Sequence, residues 1–367
     1  MQIIKASRDA ILKPLQTVAG IVEKRHTLPI LANVLIRKDG ESVSFTGTDI
    51  EMQVRTRASI GSGSGGVDIT VSARKLIDIL RALPESEVTV TLNGTRLSVS
   101  AGKSRFALQT LPSADFPTLA VGTEVASEVT LPQKQLKHLL QMVHFAMAQQ
   151  DIRFYLNGLL LVMGAHGIRS VATDGHRLAF CSQAGAAASA AADVIMPRKT
   201  VTELLRLLGD NDEPVTVQVV SHQIRISFGE VEFVTKLVEG KFPDYQRVIP
   251  TGYTKVVSIN REQLSAALSR ASILTNEKFK GVRLSLSPSL LRIQSSNAEQ
   301  EEATEELDID YDDVPLDIGF NVSYLLDVLA NLKVDVVKVE FGDSNSSALI
   351  SLPGDETFKY VIMPMRI

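Results

Sequence analysis

Apolar residues recur at the spacing of a helix face three times along the chain, at nearly constant intervals. In Val71 to Leu83, VSARKLIDILRAL, the positions Leu76, Ile79, Leu80 and Leu83 fall at i, i+3, i+4 and i+7. That spacing predicts an amphipathic helix with one side in a core. Met196 to Leu208, MPRKTVTELLRLL, repeats the stripe 125 residues on as Val201, Leu204, Leu205 and Leu208, with Glu203 matching Asp78 and Arg206 matching Arg81. A further 124 residues on come Leu325, Val328, Leu329 and Leu332, with Asp327 in the acidic place. One matched pair could be coincidence, but three at this interval predict tandem copies of one domain.

A second helix is written three times as well. Ser7 is a good N-cap for a helix from about Arg8 with Ile11, Leu15 and Val18 on one side. The same stripe returns as Leu136, Leu140 and Val143, and again as Leu264, Leu268 and Ala271. Between the helices lie short alternating runs, Val43 to Phe45, Met52 to Arg57, Val88 to Leu92 and Leu97 to Ser100, punctuated by Asp39-Gly40 and Asn93-Gly94. Alternation broken by such dipeptides predicts hairpins and antiparallel sheets. The expected class is α+β, with two helices and antiparallel sheets per copy, divided as 1–122, 123–252 and 253–367.

Shorter landmarks keep this register. Thr48-Asp49 precedes Thr173-Asp174 by 125 residues, Ser296-Asn297 follows 123 further on, and Phe116-Pro117 resembles Phe242-Pro243. Copy three ends differently, in KYVIMPMRI, which leaves Met363, Pro364, Met365 and Ile367 looking exposed. Gly61 to Gly66, GSGSGG, and the alanine-rich Gln183 to Asp193 read as flexible surface connections. GSGSGG lacks the Lys-Ser/Thr that would complete a phosphate loop.

Composition narrows the function. At 367 residues the chain exceeds one usual core, and thirds of about 120 residues are near the common domain size. No apolar run approaches the ~20 residues of a membrane span. The start, MQIIKASRDAILK, lacks a signal-peptide core, so a cytoplasmic location and no membrane partner are expected. A single cysteine, Cys181, excludes an intrachain disulfide and reads as a small buried apolar residue. The net charge of −4 is unevenly spread: residues 1–122 hold 15 basic against 11 acidic side chains, residues 123–252 hold 12 against 13, and residues 253–367 hold 11 against 18. A basic end and an acidic end suit head-to-tail association.

The most enzyme-like stretch is Thr173-Asp174-Gly175-His176-Arg177, yet the matching copy-one residues, Thr48-Asp49-Ile50-Glu51-Met52, carry no histidine. Asp174 is therefore expected to cap a turn and His176 to shape a surface rather than to form a catalytic pair. The six histidines lack metal-ligand spacing, so neither a metal nor another cofactor is expected. Basic residues recur on the polar sides of the repeated helices, as Arg74, Lys75 and Arg81 and as Arg198, Lys199 and Arg206. Side by side, they would form a band that meets phosphates without reading bases. Arg105 to Leu111 alternates as an edge strand would, with Arg96 and Lys103 nearby, while Glu299 to Glu306, EQEEATEE, is acidic near the other end. Apolar Ile273 and Leu274 follow the copy-three helix, and a basic edge meeting an acidic one between two chains could close a ring.

Motifs along the whole chain, TLPIL (27–31), GTDIEM (47–52), SRFALQTLP (104–112), ADFP (114–117), QQDIRFYLNG (149–158), VATDGHRLA (171–179), KFPDYQRVIP (241–250), NEKFKGVRL (276–284), GFNVSYLLDVL (319–329) and VIMPMR (361–366), together resemble the bacterial DNA polymerase III beta subunits, the sliding clamps. The resemblance implies three DNA-clamp domains per chain, helices lining a central hole, and a ring-forming homodimer joined between domains one and three. It implies a noncatalytic processivity factor that encircles duplex DNA. The implied partners are the replicative polymerase catalytic subunit, the clamp loader, translesion polymerases, ligase and mismatch-repair proteins.

Residue by residue, it places Arg25, Arg74, Gln150, Phe154 and Tyr155 against DNA, to which the basic band adds Arg198 and Lys199; Phe154 lacks the hydroxyl that a tyrosine would offer. It places Leu156, Thr173, Gly175, His176, Arg177, Leu178, Pro243, Arg247, Val248, Asn321, Tyr324, Val361, Ile362, Met363, Pro364, Met365 and Arg366 in a cleft for partner peptides. The dimer interface is expected to use Lys75, Arg96, Lys103, Arg105, Phe106 and Leu108 on one side, against Ile273, Leu274, Glu299, Glu301, Glu302, Glu305 and Glu306 on the other. An enzyme built on Asp174 and His176 and a scaffold that binds only proteins are the competing classes.

Overall fold

A computed structural model describes residues 1–22, 28–84 and 86–366. Copy one runs β1 (Gln2–Ser7), α1 (Arg8–Ala19), β2 (Asn33–Asp39), β3 (Ser42–Thr48), β4 (Met52–Ser59), β5 (Val67–Ser72), α2 (Ala73–Ala82), β6 (Glu87–Asn93), β7 (Arg96–Ala101) and β8 (Ser104–Leu111). Copy two runs β9 (Ser127–Pro132), α3 (Gln133–Gln141), β10 (Gly158–Gly164), β11 (Gly167–Thr173), β12 (Arg177–Ala184), β13 (Ala192–Pro197), α4 (Arg198–Leu207), β14 (Pro214–Val220), β15 (Gln223–Phe228) and β16 (Val231–Lys236). Copy three runs β17 (Lys255–Asn260), α5 (Arg261–Ala271), β18 (Gly281–Ser287), β19 (Leu290–Ser296), β20 (Glu302–Asp308), β21 (Leu316–Asn321), α6 (Val322–Asn331), β22 (Val336–Phe341), β23 (Ala348–Leu352) and β24 (Asp355–Ile362). The order of strands and α-helices is therefore the same three times among the described residues.

The helices form where capping and apolar spacing agree. The Ser7 hydroxyl accepts from the Ala10 N–H at 3.4 Å, and α1 buries Ile11, Leu15 and Val18 as its pattern requires. In α2 the buried stripe is Ala73, Leu76, Ile77 and Leu80, continued by Leu83. Ile79, expected on that face, is only half-buried, as is Leu205 of copy two. The helix starts at Ala73, and counting from there puts Ile77 on the core side and turns Ile79 to its flank. In α6 the expected Leu325, Val328 and Leu329 are all buried, as is Leu332 just past its end.

Strand pairing follows one plan. In each copy the first strand pairs with the sixth, which continues to the seventh and eighth, while the fifth pairs with the second, followed by the third and fourth. Tight hairpins join β2 to β3 and β6 to β7 with Gly40 at φ +58° and Gly94 at φ +60°, backbone that glycine adopts without strain.

Copies are joined by the same strands each time. β4 pairs antiparallel with β16, and β12 pairs antiparallel with β24. The pairings generate a twelve-stranded sheet from β1 to β9, an eight-stranded sheet from β13 to β17, and a four-stranded sheet that ends on β20. The chain forms two compact units, one of Met1–Leu136, Ala188–Ala192 and Thr202–Leu237, and one of Lys137–Ala187, Asp193–Val201 and Val238–Ile367. The twelve-stranded sheet lies in the first unit and the other two lie in the second.

Both the glycine-rich and the alanine-rich connection make specific hydrogen bonds to the strands beside them. Lys38 is 1% exposed, and its ammonium donates to the carbonyls of Gly63 at 3.0 Å and Gly65 at 2.7 Å. A buried cation needs such acceptors, and GSGSGG supplies them by turning its carbonyls inward. Ser189 N–H donates to the Glu128 carbonyl at 2.8 Å and its hydroxyl accepts from Glu128 N–H at 2.9 Å, covering the outer edge of β9. Cys181 is fully buried as expected, and burial pushes its thiol up to about 12.

Candidate protein-binding cleft and DNA-contact residues

The Thr-Asp motif builds the same turn in two copies. The Thr48 hydroxyl donates to the Met52 carbonyl at 2.8 Å, and the Asp49 carboxylate accepts from Glu51 and Met52 N–H at 3.0 and 2.8 Å. In copy two Thr173 donates to the Arg177 carbonyl at 2.6 Å, and Asp174 accepts from His176 and Arg177 N–H at 2.9 and 3.1 Å. The turn needs a left-handed residue, Ile50 at φ +71° in copy one and Gly175 at φ +90° in copy two. Asn297 plays the carboxylate's part in copy three, accepting from Glu299 and Glu301 N–H at 3.1 and 2.9 Å. Asp174 is thus a turn cap, and among the described residues no hydrogen bond joins the His176 ring to its carboxylate.

Arg177 makes the copy-two turn a junction. Its side chain is 9% exposed and donates to Asp174 at 3.1 Å, to Asp327 on α6 at 2.6 Å and to the Phe145 carbonyl at 2.7 Å. Its guanidinium carbon also lies 4.4 Å from the centre of the Tyr324 ring. Burial works against this charge, but the neighbouring Tyr360 hydroxyl, Asp327 and Asp174 outweigh it and raise the group above the ordinary arginine value. Tyr360 is fully buried, and burial pushes its phenol up while its hydroxyl donates to the Tyr324 carbonyl at 2.9 Å. His176, exposed beside this core, stacks on Tyr324 at 6.5 Å and 20°.

The C-terminal segment lies alongside. Ile362 and Val361 end β24 opposite Arg177 and Leu178, and the strand stops there because Pro364 has no N–H for the ladder. Met363 N–H still reaches the His176 carbonyl at 2.9 Å, and Met365 N–H reaches Gly319 at 2.8 Å. Met363 remains 49% exposed, and Arg366 is exposed as well. Asn321 caps α6 through the Ser323 N–H at 2.9 Å. Leu178 and Val361 are buried in one apolar cluster with Phe242, against which Tyr155, Tyr245 and Ile249 pack. Leu156 is buried in the 154–156 turn.

On the 241–250 segment Pro243 and Arg247 are exposed, Arg247 bonded to Asp244 at 2.9 Å, and Val248 is 46% exposed. Small-molecule pockets run from about 300 to 1,000 Å³, and a cavity of about 590 Å³ lies between Pro243, Phe242 and Tyr245 and the strand residues Leu160, Val162 and Ile195. The residue list derived from sequence omitted Phe242, Tyr245 and Ile249. All three lie in KFPDYQRVIP, the same motif that supplied Pro243, Arg247 and Val248.

The expected DNA-contact residues differ in their freedom. Arg25 lies outside the described residues. Arg74 is exposed on α2, 3.7 Å from Asp78, and Lys199 is exposed. Gln150 has φ +56°, and Phe154 is 56% exposed, set edge-on to Tyr155 at 6.1 Å. Arg198 is not a loose surface cation, because it is half-buried and donates to the Met147 carbonyl at 3.0 Å. Burial and then the Arg177 charge lower its pKa. Arg206, placed in the same basic band, is turned instead to Glu203 and to the Thr17 carbonyl at 2.8 Å.

At the expected interface, Phe106 is 36% and Ile273 76% exposed, while Leu108 and Leu274 are half-buried. Lys75, Arg96 and Lys103 are exposed. Arg105 turns back to the carbonyls of Gly102 and Ser104 at 2.7 and 2.8 Å. The acidic run is less free than its composition suggests. Glu306 sits directly across from Arg292 on β19 and pairs with it at 2.9 Å, Glu305 pairs with Arg270 of α5 at 2.8 Å, and Glu301 accepts from Asn297 at 2.6 Å. Glu299 and Glu302 are exposed.

The fold and these junctions define a three-domain clamp chain. Residues 1–120, 130–244 and 246–366 match, in order, the N-terminal, central and C-terminal domains of the DNA polymerase III beta subunit. The chain is 48% identical to the beta sliding clamps of Pseudomonas putida and Pseudomonas aeruginosa over 362 residues, which is 98% of this chain and of each relative. A crystal structure of the Pseudomonas aeruginosa clamp bound to griselimycin superposes with a TM-score of 0.96 and 47% identity over 100% of both chains. The chain belongs to the DNA polymerase III beta subunit family, the beta sliding clamps. Its function is that of a noncatalytic processivity factor in DNA replication.

Replacing Arg177 with Met should destabilise the second unit by about 2–3 kcal/mol, because two carboxylates would lose their shared cation and Asp327 is only partly shielded. His176→Ala should change stability by about 0.5 kcal/mol or less. Urea unfolding of the two proteins tests the contrast; equal midpoints would show that Arg177 does not hold the junction.

Proposed function

We propose that two copies of this chain close head to tail into a ring around duplex DNA and that the cleft at the β12–β24 junction takes short peptides from polymerase and repair partners. The observation that carries the ring is the repeated junction. The fourth strand of copy one pairs with the eighth of copy two, and the fourth of copy two pairs with the eighth of copy three. That rule leaves over the fourth strand of copy three, β20, and the eighth of copy one, β8. β20 ends its sheet, and β8 pairs with β5 only through Thr110 and Leu111. The rule is completed when β8 meets β20 in a second chain, and two such contacts make a closed dimer.

Carrying over the register of Phe233 opposite Val54 sets Phe106 opposite Ala303 of the partner subunit. Ile273 and Phe106 are then the main apolar contacts. Leu274, half-buried in its own chain, adds less, and the remaining acidic contribution comes from Glu299 and Glu302 facing Arg96 and Lys103. We place the domain limits at 122/123 and 252/253 and the working location in the cytoplasm.

DNA passing through such a ring is held topologically, with weak phosphate contacts from Arg25, Arg74, Lys199 and the partly anchored Arg198. Gln150, Phe154 and Tyr155 form a further contact loop. The cleft reading rests on the exposed Met363 and Val248 beside the buried Leu178–Val361 pair, with His176 and Tyr324 forming one aromatic wall. Methionine repacks readily, which suits a surface shared by the replicative polymerase, the clamp loader, translesion polymerases, ligase and mismatch-repair proteins. The enzyme reading fails on the carboxylate of Asp174, which is committed to its turn and to Arg177.

The ring is tested by retention on nicked circular DNA in gel filtration after loading. Retention should vanish when the circle is linearised; equal retention on linear DNA would contradict encirclement. Ile273→Ala with Leu274→Ala should give folded monomer, since burying each large apolar side chain contributes ~1.5 to 3 kcal/mol and exposed ion pairs ~1 or less. Unchanged dimer affinity in sedimentation would remove these residues from the interface. Deleting residues 363–367 should leave dimerisation and DNA retention near normal while polymerase-peptide binding and processive synthesis fall together. Calorimetry showing equally tight peptide binding by the truncated protein would place the cleft elsewhere.

A further inference from the structure

The first unit has a second polar site on the sheet face turned away from α1, which plays no part in the ring or the cleft. On β4, Met52, Val54 and Thr56 are buried on the helix side, so Gln53, Arg55 and Arg57 belong to the opposite face. Cross-strand register places Arg37 and Arg57 on either side of Ser44, and Glu232 beside Arg55. With Arg225 of β15 and Asp39 of β2, these side chains line a trough of about 550 Å³. The 118–121 segment forms one border, anchored where Leu119 N–H donates to Gln53 at 3.1 Å and Gln223 donates to the Ala120 carbonyl at 3.0 Å.

The charges in the trough do not cancel. Arg55 is paired with Glu232 at 2.7 Å, and Arg37 with Asp68 at 2.8 Å. The Arg57 guanidinium has no side-chain partner among the described residues, and Arg225 donates only to the neutral Gln218, at 2.7 Å. Among the described residues Asp39 is the one lining carboxylate outside an ion pair, so two arginines outside any ion pair face a single such carboxylate and the trough of this chain of net charge −4 is net positive.

We propose that this trough docks an extended acidic peptide segment of a partner protein, with its carboxylates held by Arg57 and Arg225. Guanidinium groups bind carboxylates through paired N–H donors. By the strand register Arg225 lies across β16 from Gln53, and Arg57 lies four residues further along β4, so the two backbone positions are roughly 16 Å apart, a span that an extended peptide covers in about five residues. Ser44 and Thr118 offer hydroxyls to peptide carbonyls, and Leu119 and Val121 offer apolar contact to the side chains between the acids. Among the described residues no aromatic ring lines the trough, so they offer no platform on which single-stranded nucleic acid would stack.

The test uses the full-length protein and a fluorescein-labelled octapeptide that alternates glutamate with alanine, followed by anisotropy. Saturable binding is expected, weakened at least tenfold in the Arg57→Gln, Arg225→Gln double variant and unaffected by Arg74→Gln. Thermal melting of the double variant should match that of the unaltered protein. On the unaltered protein, unlabelled peptide should displace the probe at lower concentration than an eight-residue oligothymidylate or inorganic tripolyphosphate. Absence of saturable binding, equal binding by the double variant, or stronger displacement by either phosphate compound would overturn the assignment.

Discussion

Backbone pairing between the fourth strand of one copy and the eighth strand of the next is the constraint on which this architecture depends. A sheet edge exposes N–H and C=O groups that must find partners, and the β4–β16 and β12–β24 ladders provide them by making adjacent copies continue each other's sheets. The side chains need only be compatible with that joint. This is why copies with different surface residues can be joined in the same way, and why charge is free to vary from a basic first third to an acidic last third.

The β12–β24 joint also explains where a binding surface could arise. In copy one the Thr-Asp turn has Ile50 in the left-handed position and Met52 closing it, and it reaches the next copy only along the ladder, through Glu51 to Lys236 of β16 among the described residues. In copy two Arg177 stands where copy one has Met52, and it reaches from the same turn to Asp327 and Tyr324 on α6. One substitution in a repeated turn thereby ties the strand junction to a helix of the next copy. His176 and the end of β24 are held beside that tie, and the chain after Ile362 leaves the ladder with its methionines partly exposed.

Charge on this protein is organised by pairing rather than by composition. The acidic run at 299–306 looks like a free negative edge, yet Glu305 and Glu306 are neutralised by arginines that the fold brings to them. Arg206 and Arg198 read as members of a basic band, but each reaches a backbone carbonyl, and Arg206 also meets Glu203. The polar face of β2, β3 and β4 shows the opposite case. There the sheet register gathers arginines that are scattered in sequence and leaves Arg57 without a side-chain partner among the described residues.

By itself the sequence determined the threefold repeat, the α+β class, the helix stripes and the turn motifs. All of these are written in local spacing: 3.6-residue and two-residue periods, caps such as Ser7, and dipeptides such as Asn93-Gly94. The cap role of Asp174 was legible for the same reason, and the burial of Cys181 from the chemistry of its side chain. Tertiary structure decided which strands join the copies, because hydrogen-bond partners 150 or more residues apart leave no local period. It also decided that Ile77 rather than Ile79 faces the core, that Phe242, Tyr245 and Ile249 join the Leu178–Val361 cluster, and that GSGSGG caps the buried ammonium of Lys38. Each of these depends on where a distant backbone or side chain arrives, and the identity of the residue alone carries no record of that.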